Sequence, residues 1–416
     1  MSKIVIAGGG IIGLSSAYFL RKSGYDVTVI DKTDMTDSCS YGNAGYVCPG
    51  HFIPMATPGI VKQGLKWMLN PLSPFYVQPR LDAGLADWGI KFMRSANKKH
   101  VLDSAVPLRD IAILSKDMYE LWKSDPAFDF FYRPTGLLEM FRTTEGAAHG
   151  AEIAHRSREL GLDVDMLDAS QTRAMEPQLD MNVEGAIYFR CDAHLDPGTL
   201  MQNLLRVLKD MGVKFLEQDA VVDFRRSGNS VTNVITQKSS VEADQVILAT
   251  GSWSRELASK LGIKIPLVAG RGYSVTVDDS IMKVNYPIIL AEGRVAITPL
   301  SNNRIRFGGT MEITSLNTPP RYNRVQGILN GVKSFFPSFN MAVPDNDKIW
   351  YGYRPCSADG LPYIGRDRKF SNVVIATGHA MIGLSLGAGT GKLVSELVNE
   401  EATSIDLKPF DPGRFN

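Results

Sequence analysis

The chain is 416 residues long, 44% hydrophobic and 21% charged, which suits a folded globular protein of two joined domains. Its formal net charge of +1 removes the electrostatic case for a nucleic-acid or polyacidic partner. The four cysteines, Cys39, Cys48, Cys191 and Cys356, form no CxxC pair and are too few to staple so long a chain, which fits a reducing cytoplasm.

Residues 4–20 are apolar enough to resemble an export signal. They have almost no basic flank before them, are interrupted by Gly8, Gly9, Gly10 and Gly13, and run into Arg21 and Lys22. They read instead as a buried strand over 3–7 and a helix over 11–23 that stops at Gly24, followed by a second strand over 26–30. Residues 38–59 are loop-like, 62–69 predict a short helix, and the prolines of 70–79 exclude a long regular element. Helices are expected over 85–96 and 108–122, a strand over 135–142, and helices over 145–160 and 168–175. Pro197 suits the first position of a helix reaching 211. Strands follow over 213–216, 221–225, 231–236 and 246–249, with Gly228-Asn229 as a hairpin turn. More are expected over 272–277, 295–299 and 304–309, then a helix over 322–336. The tail predicts a strand over 373–376, a glycine-rich stretch to 391 and a closing helix to 400. No stretch approaches the roughly 18 uninterrupted apolar residues of a spanning helix, so peripheral attachment is the membrane option left open. With no repeat or free linker, the domains are expected to exchange segments.

Gly8-Gly9-Gly10-Ile11-Ile12-Gly13 fits GxGxxG between a predicted strand and a predicted helix. Gly8 allows the tight turn, Gly10 lets the backbone approach a pyrophosphate, and Gly13 brings helix and strand together. The helix N-terminus, with Ile11 and Ile12, offers free N–H groups and a partial positive charge to phosphates. Asp31 closes the second strand, where a carboxylate can accept the ribose hydroxyls and disfavours a 2′-phosphate; Lys32 follows it. This pattern leaves FAD and NAD open.

Further segments choose between them. They are Ser38-Cys39-Ser40-Tyr41-Gly42-Asn43-Ala44-Gly45, Ala249-Thr250-Gly251-Ser252-Trp253, Gly272-Tyr273-Ser274, Arg304-Ile305-Arg306 to Gly308-Gly309, Tyr353-Arg354-Pro355 to Gly365, and Ala376-Thr377-Gly378-His379 to Gly383. Together they resemble the D-amino acid oxidase / glycine oxidase superfamily of flavoproteins over essentially the whole chain, and within it the small subunit of the bacterial D-amino acid dehydrogenases. The resemblance implies an α/β fold: a Rossmann-like FAD-binding domain of the glutathione-reductase type, with an interleaved α+β substrate domain carrying a mainly antiparallel sheet. The FAD domain is expected to take 1–55, 150–265 and 350–416, and the substrate domain 56–149 and 266–349.

The resemblance also implies site residues. Asn43, Ala44 and Gly45 would meet the pyrophosphate and flavin, Val221 the adenine, and Thr250, Gly251 and Trp253 the adjoining turn. Gly378, His379, Ile382, Gly383, Leu384 and Ser385 would border the flavin ring. Where some sarcosine oxidases carry a flavin-linking cysteine this chain has Gly352, so FAD is expected to be non-covalent.

Hydride transfer from an amino acid's α-carbon to flavin needs the carboxylate held and the α-hydrogen aimed, and needs no strong base when the amine arrives neutral. Arg354, in the Arg-Pro motif, is the leading carboxylate anchor. Tyr273 and His51 are the other catalytic candidates, with Arg271 a weaker one. Tyr351, Tyr353, Tyr76 and Phe75 are candidate pocket aromatics. Relatives place an arginine near Thr298, where this chain has Pro299 and Leu300; Arg294 and Arg304 are possible substitutes. The six histidines show no metal-ligand spacing, and no metal is expected.

The resulting expectation is a cytoplasmic or peripherally membrane-bound enzyme that oxidises D-amino acids, D-proline and hydroxy-D-proline among them, with a quinone or carrier as electron acceptor. The alternatives are a glycine or sarcosine oxidase that makes peroxide, a tRNA-modifying flavoprotein, a non-catalytic flavoprotein subunit, and an NAD-dependent dehydrogenase.

Overall fold

Lys3–Ala7, Gln245–Leu248 and Val373–Thr377 are nearly continuous apolar runs, and such strands are stable only when both faces are covered. The structure, a computed structural model, describes residues 1–415 and brings these runs together in one sheet. Its strand order is Lys214–Leu216, Asp26–Ile30, Lys3–Ala7, Gln245–Leu248, Val373–Thr377 and Tyr363–Arg366. All neighbours are parallel except the last pair. The chain order reverses around Lys3–Ala7, which opens the crevice beyond the carboxyl ends of the strands where doubly wound sheets bind ligands.

A nine-stranded sheet covers that crevice. Its path runs Ile349–Ser357, Leu267–Asp278, Arg304–Ile313, Val295–Leu300, Ile288–Leu290, Leu137–Phe141, Gly185–Phe189 and Val164–Asp168, with Phe75–Val77 pairing beside Arg304–Ile313. Most pairs are antiparallel. Three segments depart from the expected division. Val164–Asp168 and Gly185–Phe189, placed by sequence in the cofactor domain, pair into this second sheet. Gly185–Phe189 is buried at every position but Tyr188, which suits a strand with neighbours on both sides. Ile349–Ser357 also pairs here, against Leu267–Asp278, before the chain returns to the first sheet.

The helix Lys98–Ser124 is longer than its sequence suggests, because Pro107 lies inside it. Asn97 caps its start, the side chain accepting His100 N–H at 2.9 Å. Its buried face carries Leu108, Ile111, Ala112, Tyr119 and Trp122. Trp122 stacks on Phe128 at 5.2 Å and meets Tyr18 edge-on at 5.3 Å, which locks this helix to Ile11–Lys22. Among the described residues no helix is long and apolar enough to cross a membrane.

Candidate active site and cofactor cleft

Backbone geometry dictates the turn after the first strand. Gly8 has φ +108, and a Cβ there would overlap the Ala249 carbonyl just past the adjacent strand. A Cβ on Gly13 would strike the Gly8 carbonyl, so Gly13 lets the helix pack onto the turn. At Gly10 a Cβ would lie an ordinary 3.7 Å from Ser40 Oγ, so no protein atom demands glycine there. Its bare face opens into a cleft of about 920 Å³.

Gly8, Gly10, Ile11 and Ile12 stand on the wall of this cleft. Ser40 Oγ accepts Ile11 N–H at 3.0 Å, while the next N–H groups belong to a first turn with no intrahelical acceptor and favour an anion. Asp31 adjoins them. Its Oδ2 accepts Gly9 N–H at 2.7 Å, and its Oδ1 accepts Thr33 N–H and Oγ1–H at 2.9 Å each, which fixes the carboxylate. Lys32 Nζ lies 3.4 Å from the centre of the Trp253 ring, and burial lowers its pKa. Val221, Thr250, Gly251 and Trp253 continue the wall.

Asn43 also reaches the cleft, and its loop is tied down from two sides. Arg306 Nη1 donates to the carbonyls of Tyr41 and Asn43 at 2.9 and 2.5 Å, and Asn43 Nδ2 donates to the Met381 carbonyl at 3.3 Å. Ala44 and Gly45 stop short of the wall. Gly45 has φ +83 and packs against the Leu195 carbonyl, so its glycine serves the turn rather than a ligand.

From the C-terminal segment, His379, Gly383 and Leu384 line the cleft, whereas Gly378, Ile382 and Ser385 do not. Gly378, at φ +81, makes room for the Tyr363 ring, and Ser385 Oγ accepts Cys48 N–H at 2.9 Å.

The wall continues through Trp350, Tyr351, Tyr353 and Arg354, all on Ile349–Ser357. Arg354 Nη1 donates to the Thr310 carbonyl at 2.6 Å. Tyr353 OH donates to the Leu316 carbonyl at 2.8 Å, and its ring meets Trp253 edge-on at 5.9 Å.

Two catalytic candidates lie elsewhere. Tyr273 is 1% exposed and outside the wall. Its hydroxyl donates to Glu312 Oε2 at 2.8 Å and accepts Arg321 N–H at 2.6 Å, which commits it to the core of the second sheet. Arg271 joins the same buried group, its Nε donating to Glu312 Oε2 at 2.9 Å, and Arg324 pairs with Glu312 Oε1 at 2.6 Å. His51 faces away from the cleft, toward Asp192 Oδ2 at 3.8 Å and the Phe189 ring. Cys48, His51 and Asp192 bring their ligand-type atoms within 4.8 Å of one another, a grouping that sequence spacing does not show. Tyr76, Phe75, Arg294 and Arg304 also lie off the wall. Arg304 pairs with Asp196 at 2.6 Å, and the arginine opposite Thr298 is Arg306, bound to the loop carbonyls.

The family model of FAD dependent oxidoreductases (DAO) matches residues 3–397. The chain belongs to this family. It is 31% identical over 402 residues to a D-amino acid dehydrogenase of Helicobacter pylori, covering 96% of this chain and 95% of that one. It is 29% identical over 420 residues to a D-amino acid dehydrogenase of Granulibacter bethesdensis, covering 99% of each. The solved structure of glycine oxidase from Geobacillus kaustophilus superposes with a TM-score of 0.79 at 23% identity over 100% of both chains, a likeness of fold.

The cofactor of this FAD-dependent oxidoreductase is FAD, and the cleft fits it. Gly10 presents bare backbone to the cleft where the protein itself leaves room for a side chain. Ser38, Ser252 and His379 stand on the wall, and their Oγ, Oγ and Nδ1 atoms have no partner among the described residues. Turning the two serine hydroxyls toward the cleft would give each a ligand partner. Sequence reading missed these serines and Trp350. Ser38 and Ser252 both lie in the motifs that carry the resemblance, but only side-chain packing shows their hydroxyls unpaired.

Proposed function

We propose that this flavoenzyme oxidises D-amino acids at the α-carbon, D-proline and hydroxy-D-proline among them, and passes the electrons to a quinone or carrier. The observation that carries this is Arg354, a guanidinium on the wall of the FAD cleft with only Nη1 engaged among the described residues. The curated relatives named D-amino acid dehydrogenase, which align with nearly the whole chain, support the D configuration. When bound, FAD supplies the hydride-accepting ring. The chain holds the carboxylate through Arg354 and closes the pocket with Tyr351 and Tyr353. The one histidine on the wall, His379, is pushed down to about 3 by burial, stays neutral, and bonds Thr390 through Nε2 at 3.0 Å. In this reading the substrate enters with its amine already neutral, so the transfer needs no strong base from the wall.

FAD is held without a covalent link in this reading. Gly352 stands at the position aligned with the flavin-linking cysteine, and Cys356 is wholly buried off the wall. Acid precipitation should leave the yellow colour in the supernatant.

Peripheral membrane attachment fits the helix Ile60–Met68, whose only buried residue is Gly64. Leu65 within it and Leu69 just beyond its end are 62% and 87% exposed, beside Lys62 and Lys66. Co-sedimentation with anionic vesicles, lost on Leu65→Glu/Leu69→Glu, is the expected result; equal sedimentation of both proteins would remove the role of this helix.

The deciding experiment is anaerobic bleaching of the yellow protein with D- and L-amino acids, sarcosine, glycine and hydroxyproline isomers, followed by air. Bleaching by D-amino acids with slow reoxidation is expected. Bleaching by glycine or sarcosine with rapid peroxide formation would reassign the chain as an oxidase.

A further inference from the structure

The strand Arg304–Ile313 slips register against Leu267–Asp278 at one place. Arg271 faces Glu312 and Tyr273 faces Gly309, so Thr310 and Met311 together oppose the single residue Gly272. Thr310 has φ +64, in the left-handed region, although it is β-branched and follows Gly308 and Gly309. Such strain persists only where the surroundings enforce it. What it achieves is the direction of the Thr310 carbonyl, which accepts Arg354 Nη1 at 2.6 Å. The Thr310 hydroxyl has no partner, so the carbonyl and not the side chain makes the contact.

Arg354 and Thr310 are not on neighbouring strands. Leu267–Asp278 lies between them, so the arginine must cross a whole strand to reach its acceptor. It crosses at Gly272, where an added Cβ would fall within the guanidinium, overlapping Cζ, Nη1 and Nη2 at once. Gly308, on the strand beyond, contrasts with it: a Cβ there would meet its nearest neighbour, Ser274 Cβ, at an ordinary 3.6 Å.

We propose that Gly272 and the Thr310 carbonyl are positioning elements for Arg354. The bare backbone of Gly272 forms a groove for the guanidinium, and the bulged carbonyl fixes Nη1. Nε and Nη2, which bond no other described residue, are then presented together to the α-carboxylate of the substrate. This rests on the carboxylate role of Arg354 proposed above.

The test uses the FAD-loaded full chain, propionate as a carboxylate probe without an amine, and thermal melts. Gly272→Ala should weaken propionate binding by about tenfold or more, as Arg354→Ala does, with FAD content kept and KM for the amino acid rising more than kcat falls. Gly308→Ala should bind propionate as the native chain does. The double variant Gly272→Ala/Arg354→Ala should bind no more weakly than Arg354→Ala alone. Its melting temperature should return to that of Arg354→Ala, because removing the guanidinium vacates the space the new methyl needs. That rescue is read from melts and holds even if Gly272→Ala alone folds poorly. Additive losses in the double variant, or native-like propionate binding by Gly272→Ala, would overturn the positioning role while leaving Arg354 as anchor. Native-like propionate binding by Arg354→Ala would overturn the anchor itself.

Discussion

A two-pronged, charge-assisted contact contributes about 1.5–3 kcal/mol, so Arg354→Ala should raise KM roughly ten- to a hundredfold. Steady-state kinetics beside flavin absorbance checks this, and an unchanged KM at full FAD content would contradict it. Gly8→Ala should behave oppositely and yield chain without FAD, because the new Cβ meets the backbone carbonyl of Ala249. Both effects are legible in sequence, since each residue answers a demand of backbone or charge that a motif encodes. Tyr273 shows where legibility ends. Its strand is buried on both faces from Leu267 to Val275, so no alternation marks which face looks into the cleft. His51 lies in a loop, where no period exists to read.

At the scale of elements, local signals located most helices and the parallel strands but not every pairing. Val164–Asp168 lacks the long apolar run of the cofactor strands, and its assignment depends on which sheet it meets. Pro107 hid the first turns of Lys98–Ser124, because a helix that already buries Ser104 and Ala105 tolerates one missing N–H. Glu176, at the end of the helix Ala169–Met175, joins that helix to the 285–286 loop by accepting Asn285 and Tyr286 N–H at 2.7 and 2.8 Å. Burial pushes its carboxyl up to about 7 despite these donors. An acid raised on folding binds its proton more tightly in the native state. Its contribution is therefore fully present below the usual carboxylate range and is lost as pH rises through about 7. Glu176→Gln cannot ionise, so the native chain should lose about 2–3 kcal/mol relative to it between pH 5 and pH 8. Urea midpoints at the two values measure this, and parallel pH profiles would show that Glu176 is not the titrating group.

At the scale of the molecule, the cleft joins segments from both ends and the middle of the chain, so FAD ties together parts that unfolding would separate. Stripping FAD should lower the melting temperature, and restoring it at a hundred times its dissociation constant should return about 2.7 kcal/mol. Scanning fluorimetry of the two forms checks this; coincident melts would mean that the cleft is rigid without its ligand. The order of strands in the first sheet has a consequence for synthesis. Lys3–Ala7 leaves the ribosome early, yet its neighbour Gln245–Leu248 is made much later, and Val373–Thr377, which continues the sheet, comes near the end. Lys3–Ala7 must wait for Gln245–Leu248, and Gln245–Leu248 in turn for Val373–Thr377, so the growing sheet carries an unpaired apolar edge until the last of the three is made. Productive folding then depends on shielding that edge until the last glycine-rich segment emerges.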